Sequence, residues 1–238
     1  MNWVKDSTGR FLRRPYYSPQ EMEARCEAII IDHLTKRHGA IEFPITTDDL
    51  TVLMETMVDD LDLFADLSQE GQDVEGVTDF FSDRLPKIRV ERTLSNPRMV
   101  NRLRTTLTHE LGHVVFHKMM FDGPRSGSLF DADETQALSN KCKRDRILEA
   151  PQTDWMEWQA GFACGALLMP QGALSAAVRL VGEDRRFPAG KLSANSEHGL
   201  ALISSVAKSF GVSHDAARVR LHQREVLVTA AHAGSLFS

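Results

Sequence analysis

The segment His109-Glu110-Leu111-Gly112-His113 constrains this chain more than any other stretch. Two histidines four positions apart converge on one side of a helix, whereas in a strand they would stand about 13 Å apart. Val100, Leu103, Leu107, Leu111 and Val114 recur at helical spacing on the opposite side. The segment therefore reads as a helix held by an apolar face, with its histidines turned the other way. Ser95-Asn96-Pro97 caps this helix, which should run to about Met120. Gly112 costs such a helix roughly 1 kcal/mol relative to alanine, which points to another element approaching closely there.

An imidazole pair at this spacing suits a zinc ion, which needs at least one more protein ligand and, in a catalytic site, leaves a position to water. Glu157 is the best candidate for that third ligand. It lies in a second helical segment, Trp155-Met156-Glu157-Trp158-Gln159-Ala160-Gly161-Phe162-Ala163-Cys164. Glu157, Ala160, Gly161 and Cys164 fall on one side of it, opposite Trp155, Trp158 and Phe162. Small residues on that side would let the helix come close to Gly112. Glu149, Asp145 and Asp154 compete for the same role. Glu110 sits beside the histidine face, where a carboxylate can take a proton from a water without ligating the metal. His117 follows one turn on and reads as a packed or supporting histidine rather than a fourth ligand. Cys142 is flanked by Lys141, Lys143 and Arg144, whose charge favours its thiolate. It is either a regulatory thiol that masks the zinc or an ordinary thiol in a basic loop.

Around these helices the sequence reads as α+β and mostly helical, with the histidine-bearing helix packed on a small mixed sheet. Residues 1–17 form an N-terminal arm. Ser18-Pro19-Gln20-Glu21 opens a helix that exits at His38-Gly39. A second helix starts at Thr46 or Thr47, with Leu50, Leu53, Met54, Met57, Leu61 and Phe64 as its buried stripe. Residues 74–81 and 87–93 alternate as two strands, and an edge strand among them could pair with an extended substrate segment. The stretch 121–153 is polar and long for a connection, which marks a mobile or regulatory insertion. Helices follow at 153–168, 171–181, 196–210 and 213–230. The division expected is an arm at 1–17, a core at 18–170 and a helical C-terminal region at 171–238 packed on it. Within that region Val206–Leu221 has helix-turn-helix spacing, and Arg218, Arg220, His222 and Arg224 make DNA contact conceivable. Structural use of the pair is the plainer reading. Arginines and lysines between Lys87 and Arg104 make a locally basic stretch that is by default a solvated face.

Composition enters as a filter on partners. The 238 residues carry a net charge of −5, so nucleic acid, although possible as an activator, is not indicated by charge. The longest apolar run, 160–169, is half of the roughly 20 residues a membrane span needs. The N-terminus lacks an apolar secretion segment, and three scattered cysteines suit a reducing compartment, so the expected location is the cytoplasm. Nothing in the sequence settles the oligomeric state or names an oxyanion-stabilising group. Tyr16 and Tyr17 are poor candidates unless the arm folds over the cleft, and His198, His214 or an arginine of the last helix are alternatives.

Three blocks resemble the ImmA/IrrE metallo-endopeptidases: Arg104–His117 around the motif, Glu157-Trp158-Gln159-Ala160 with Leu167-Leu168-Met169-Pro170, and Val206–Leu221. The resemblance implies a gluzincin-like zinc endopeptidase with His109, His113 and Glu157 as ligands and Glu110 as catalytic base. It further implies a protein substrate, a helix-turn-helix repressor whose cleavage releases stress-response, mobile-element or phage-defence genes. The competing class is a DNA-binding regulator, or a toxin–antitoxin component acting by binding alone, with a structural zinc site.

Overall fold

The computed structural model describes residues 1–122, 138–143, 154–187 and 190–228, with the backbone alone for 138–143. Helix α1 spans Pro19–His38, and both of its ends follow from local chemistry. Ser18 Oγ accepts from the Glu21 N–H while the Glu21 carboxylate accepts from the Ser18 N–H, and Gly39 leaves the helix at a left-handed φ of 70°. Thr46 and Asp49 form the same reciprocal cap on α2, Thr47–Glu55.

Here the first departure from expectation occurs. α2 stops at Glu55, and Asp60–Ala65 is strand β3 of the main sheet, following the N-terminal strands Asn2–Lys5 (β1) and Arg13–Tyr16 (β2). Asp60-Leu61-Asp62-Leu63 alternates polar and apolar residues, and this period of two prevailed over the weaker helical recurrence. Leu61 and Leu63 pack against the core, whereas Phe64 is left 72% exposed. Val74–Phe80 (β4) and Lys87–Glu91 (β5) are antiparallel strands, as the alternation predicts. The sheet order is β3-β5-β4-β6, where β6 is Leu138–Lys143, antiparallel to β4, and β3 runs parallel to β5. Both strands offered to an extended substrate are therefore interior. β6, from within the 121–153 stretch, takes the free side of β4, and the outer strands among the described residues are β3 and β6.

Residues 1–17 are a packed element rather than a loose arm. Asn2–Lys5 (β1) pairs antiparallel with Arg13–Tyr16 (β2). The Asp6 carboxylate closes the connection by accepting from the Thr8 and Phe11 N–H groups. Phe11 then sits edge-on to Phe121 and Trp155, and the Arg14 guanidinium lies 5.3 Å from the Trp155 ring centroid.

Helix α3 is Val100–His117, entered through short 3₁₀ turns at Arg92–Ser95 and Pro97–Met99. Of its expected apolar stripe, Leu103, Leu107, Leu111 and Val114 are buried, while Val100 at the start is 45% exposed. Helix α4 is Trp155–Leu168, α5 Gln171–Arg185, α6 Glu197–Phe210 and α7 His214–Gln223. α7 ends well short of residue 230, because Glu225 adopts a positive φ of 54° and Leu227–Val228 (β8) pairs with Leu192–Ser193 (β7). One buried cluster runs from Tyr17 on the hairpin side to Leu227, joining α1, α3, α4, α6 and α7. No single helix among the described residues is long and apolar enough to cross a membrane; the bent pair α4 and α5 qualifies by length and composition, but α4 is largely interior.

In the helix-turn-helix-like pair one of the four residues marked for DNA contact, Arg220, is turned inward. Arg220 is 1% exposed and makes a bidentate pair with Glu23 of α1, both contacts at 2.6 Å, and it also donates to the Met169 carbonyl. Arg104 of α3 donates to the Phe210 and Gly211 carbonyls at the end of α6. In the locally basic stretch, Lys87 pairs with Asp60, Arg89 with Glu70 and Asp79, Arg92 with Asp66 and Arg102 with Glu75. Those cations are answered within the chain.

Candidate metal centre

Two helices make the site, and a glycine sets their separation. A methyl group at Gly112 would stand 3.0 Å from Ala163 Cβ and 3.1 Å from the backbone of Ala160. The close approach inferred from Gly112 is thus made by α4, through Ala160 and Ala163 rather than Gly161. At this separation the short Glu157 side chain reaches the two histidines. His109 Nε2 lies 3.2 Å from Glu157 Oε2, His113 Nε2 lies 3.2 Å from Glu157 Oε1, and the two Nε2 atoms are 3.2 Å apart.

These three residues form a buried group able to hold a metal ion. Around a tetrahedral ion with bonds of about 2.0–2.1 Å, neighbouring donor atoms stand roughly 3.3 Å apart, which the observed spacing meets. Two neutral imidazoles and one carboxylate are also a donor set zinc accepts. Asp154 does not enter this group. Glu149 and Asp145 lie outside the described residues, as does the side chain of Cys142. The Cys142 backbone lies in β6 opposite Gly76 of β4.

The electrostatics follow from burial. Burial alone would raise the Glu157 carboxyl, but the adjoining histidines, His113 foremost, hold it well below the ordinary carboxylate range. Burial likewise works against charge on His113, and the adjacent Glu157 outweighs it, so His113 titrates above its usual value. His117 is pushed well below the usual histidine value by burial and by the neighbouring His113.

Glu110 occupies a different position. It is fully buried, one turn-face away from the donor group, and burial raises its carboxyl above the normal range. Oε2 accepts from Thr78 Oγ1 at 2.5 Å, and Oε1 has no hydrogen-bond partner among the described residues. Gly76 makes room for it: a Cβ there would lie 2.4 Å from Glu110 Oε1. A glycine inside a strand pattern is a known sign of close approach, yet nothing local to β4 indicates that Gly76 and Thr78 face Glu110.

His117 acts as the supporting histidine expected. Its Nδ1 is 3.0 Å from His113 Nδ1, its Nε2 is 3.0 Å from Gln159 Oε1, and Gln159 Nε2 donates to the Pro15 carbonyl. Gln159 and Pro15 are further residues that sequence reasoning missed. Of the groups suggested for an oxyanion, Tyr17 is buried edge-on to Phe116, and the His198 ring lies tilted against Phe187, centroids 5.0 Å apart. Arg10, in the β1–β2 connection, is within electrostatic reach of Glu157 and Asp154. Cys26 and Cys164 are buried core thiols, as expected, with burial pushing Cys164 up to about 11.

In comparisons with known proteins, no family model and no curated sequence matches the chain.

Proposed function

We propose that this protein is a zinc-dependent endopeptidase. The observation that carries the reading is Glu110: a buried carboxylate beside a two-histidine, one-glutamate group, outside it, and with one oxygen uncommitted. A purely structural site has no use for such a group.

His109, His113 and Glu157 would hold the ion. The chemistry a bound zinc ion supplies is Lewis acidity, which brings the pKa of a water toward neutrality and polarises a carbonyl. Glu110 supplies the proton transfers: its free Oε1 accepts the proton of the attacking water and returns it to the departing amine. Thr78 holds the other oxygen, so the carboxylate keeps one orientation through both transfers. Burial raises the Glu110 pKa, which makes its carboxylate a stronger base toward the attacking water.

The resemblance of three sequence blocks to ImmA/IrrE metallo-endopeptidases supports a protein substrate, a helix-turn-helix transcriptional repressor cut in an exposed segment. The same reading supports a cytoplasmic location, where such a repressor works. The alternative, a DNA-binding regulator, loses support because Arg220 of α7 is committed to Glu23 in the interior.

The test is cleavage. Zinc-loaded protein is incubated with the repressor encoded beside it, and the products are read by mass spectrometry. A discrete cut that disappears in Glu110→Gln is expected. Cleavage persisting in Glu110→Gln would overturn the assigned base, and tight sequence-specific DNA binding without any cleavage would favour the regulator.

A further inference from the structure

Four buried groups line up behind one of the ligands, and their donors and acceptors admit a single order. The starting point is Pro15, whose carbonyl can only accept. The Gln159 amide atom facing it, at 3.4 Å, must therefore be the NH₂ group. That orientation turns Gln159 Oε1, an acceptor, toward His117 Nε2 at 3.0 Å, so His117 Nε2 carries the hydrogen. In a neutral imidazole the other nitrogen is then an acceptor. His117 Nδ1 faces His113 Nδ1 at 3.0 Å, so His113 must donate from Nδ1. The lone pair of His113 is thereby fixed on Nε2, the atom that faces His109 and Glu157.

We propose that His117 and Gln159 are positioning residues that lock His113 in the Nδ1–H tautomer for metal binding, with the Pro15 carbonyl of the N-terminal hairpin as their fixed end. This rests on the metal-centre reading. Both residues are buried, at 0% and 2% exposure, and His117 is set perpendicular to the Trp155 ring at 5.4 Å. The order cannot readily reverse in such surroundings, because each reversal would leave two donors or two acceptors facing each other. The other histidine has no equivalent support: His109 Nδ1 is buried without a partner among the described residues. The preorganisation of the site thus runs through His113, and it reaches the hairpin that also covers Trp155. Groups that orient a metal-ligating histidine in this way typically contribute 10–100-fold to metal affinity.

Two measurements test this on the full chain. Zinc affinity is determined by competition with a chromophoric chelator for the wild type, Gln159→Met, His117→Phe and Gln159→Glu. Gln159→Met keeps the shape but removes the acceptor, and an affinity loss of about 10–100-fold is expected for it and for His117→Phe. Gln159→Glu retains an acceptor toward His117 but sets a carboxylate oxygen against the Pro15 carbonyl, so its affinity is expected to fall between those of the wild type and Gln159→Met. Long-range ¹H–¹⁵N spectra of the zinc-loaded wild type should show hydrogen on Nδ1 of His113 and on Nε2 of His117. Wild-type zinc binding with unchanged affinity in Gln159→Met, or a hydrogen on Nδ1 of His117, would overturn the relay while leaving the centre standing. Failure of the wild type to bind zinc would overturn the centre itself, and the relay with it.

Discussion

At the scale of residues, two glycines set the close approaches that shape the site. Gly112 lies inside the motif, on a helix whose period is plain, so its cost to the helix pointed directly to a close neighbour; Ala160 and Ala163 are that neighbour. Gly76 lies in a strand far from the motif, and only the pairing of the sheet with α3 shows that it faces Glu110. Contacts between distant segments leave no local periodicity to read, which also explains why Thr78, Gln159 and Pro15 escaped notice. Gly76→Ala follows as a prediction. The added methyl would displace Glu110 Oε1 and disturb its bond from Thr78, while the donor group stays in place. Zinc affinity is expected to stay within a few-fold of wild type and proteolysis to fall about a hundredfold or more, the usual contribution of a general base. Equal activity in chelator-titrated assays of both proteins would contradict the assigned role of Glu110.

Among the elements, those with chemically marked ends were legible. α1 begins at a capping box and ends at a left-handed glycine, and β5 alternates cleanly between half-buried and buried positions. The segment 56–65 was misread because Leu61 and Phe64 extend the α2 spacing, although Asp60 and Asp62 interrupt it. The N-terminal hairpin was missed because its strands are stabilised by Trp155 and Phe121, which lie far along the chain. α7 carries the element-scale prediction. Its Arg220 and Glu23 of α1 form a buried pair, so removing Arg220 leaves the buried Glu23 carboxylate with only the partly exposed Arg224 at 3.5 Å. Arg220→Met should destabilise the protein by about 3–5 kcal/mol in urea denaturation, and the double replacement Arg220→Met with Glu23→Leu should recover most of that loss. A cost below about 1 kcal/mol for Arg220→Met would contradict a structural role for α7.

Across the whole molecule, the hairpin, the sheet and the C-terminal helices all bear on α3 and α4. The hairpin reaches Gln159 through Pro15, β4 holds Glu110 through Thr78, and α6 receives Arg104 of α3 at its end. α7 holds the end of α4 through the Met169 carbonyl and ties it to α1. The separation of α3 and α4 therefore depends on the full fold. We propose that this fold builds a three-ligand metal site with a catalytic carboxylate beside it. Zinc content and affinity, measured by elemental analysis after dialysis and by chelator competition on purified variants, test it most directly. One ion per chain is expected, held by His109, His113 and Glu157, with binding lost in His109→Ala and Glu157→Ala and kept in Glu110→Gln. A wild type that binds no zinc, or a Glu110→Gln variant as impaired in binding as His109→Ala, would contradict it.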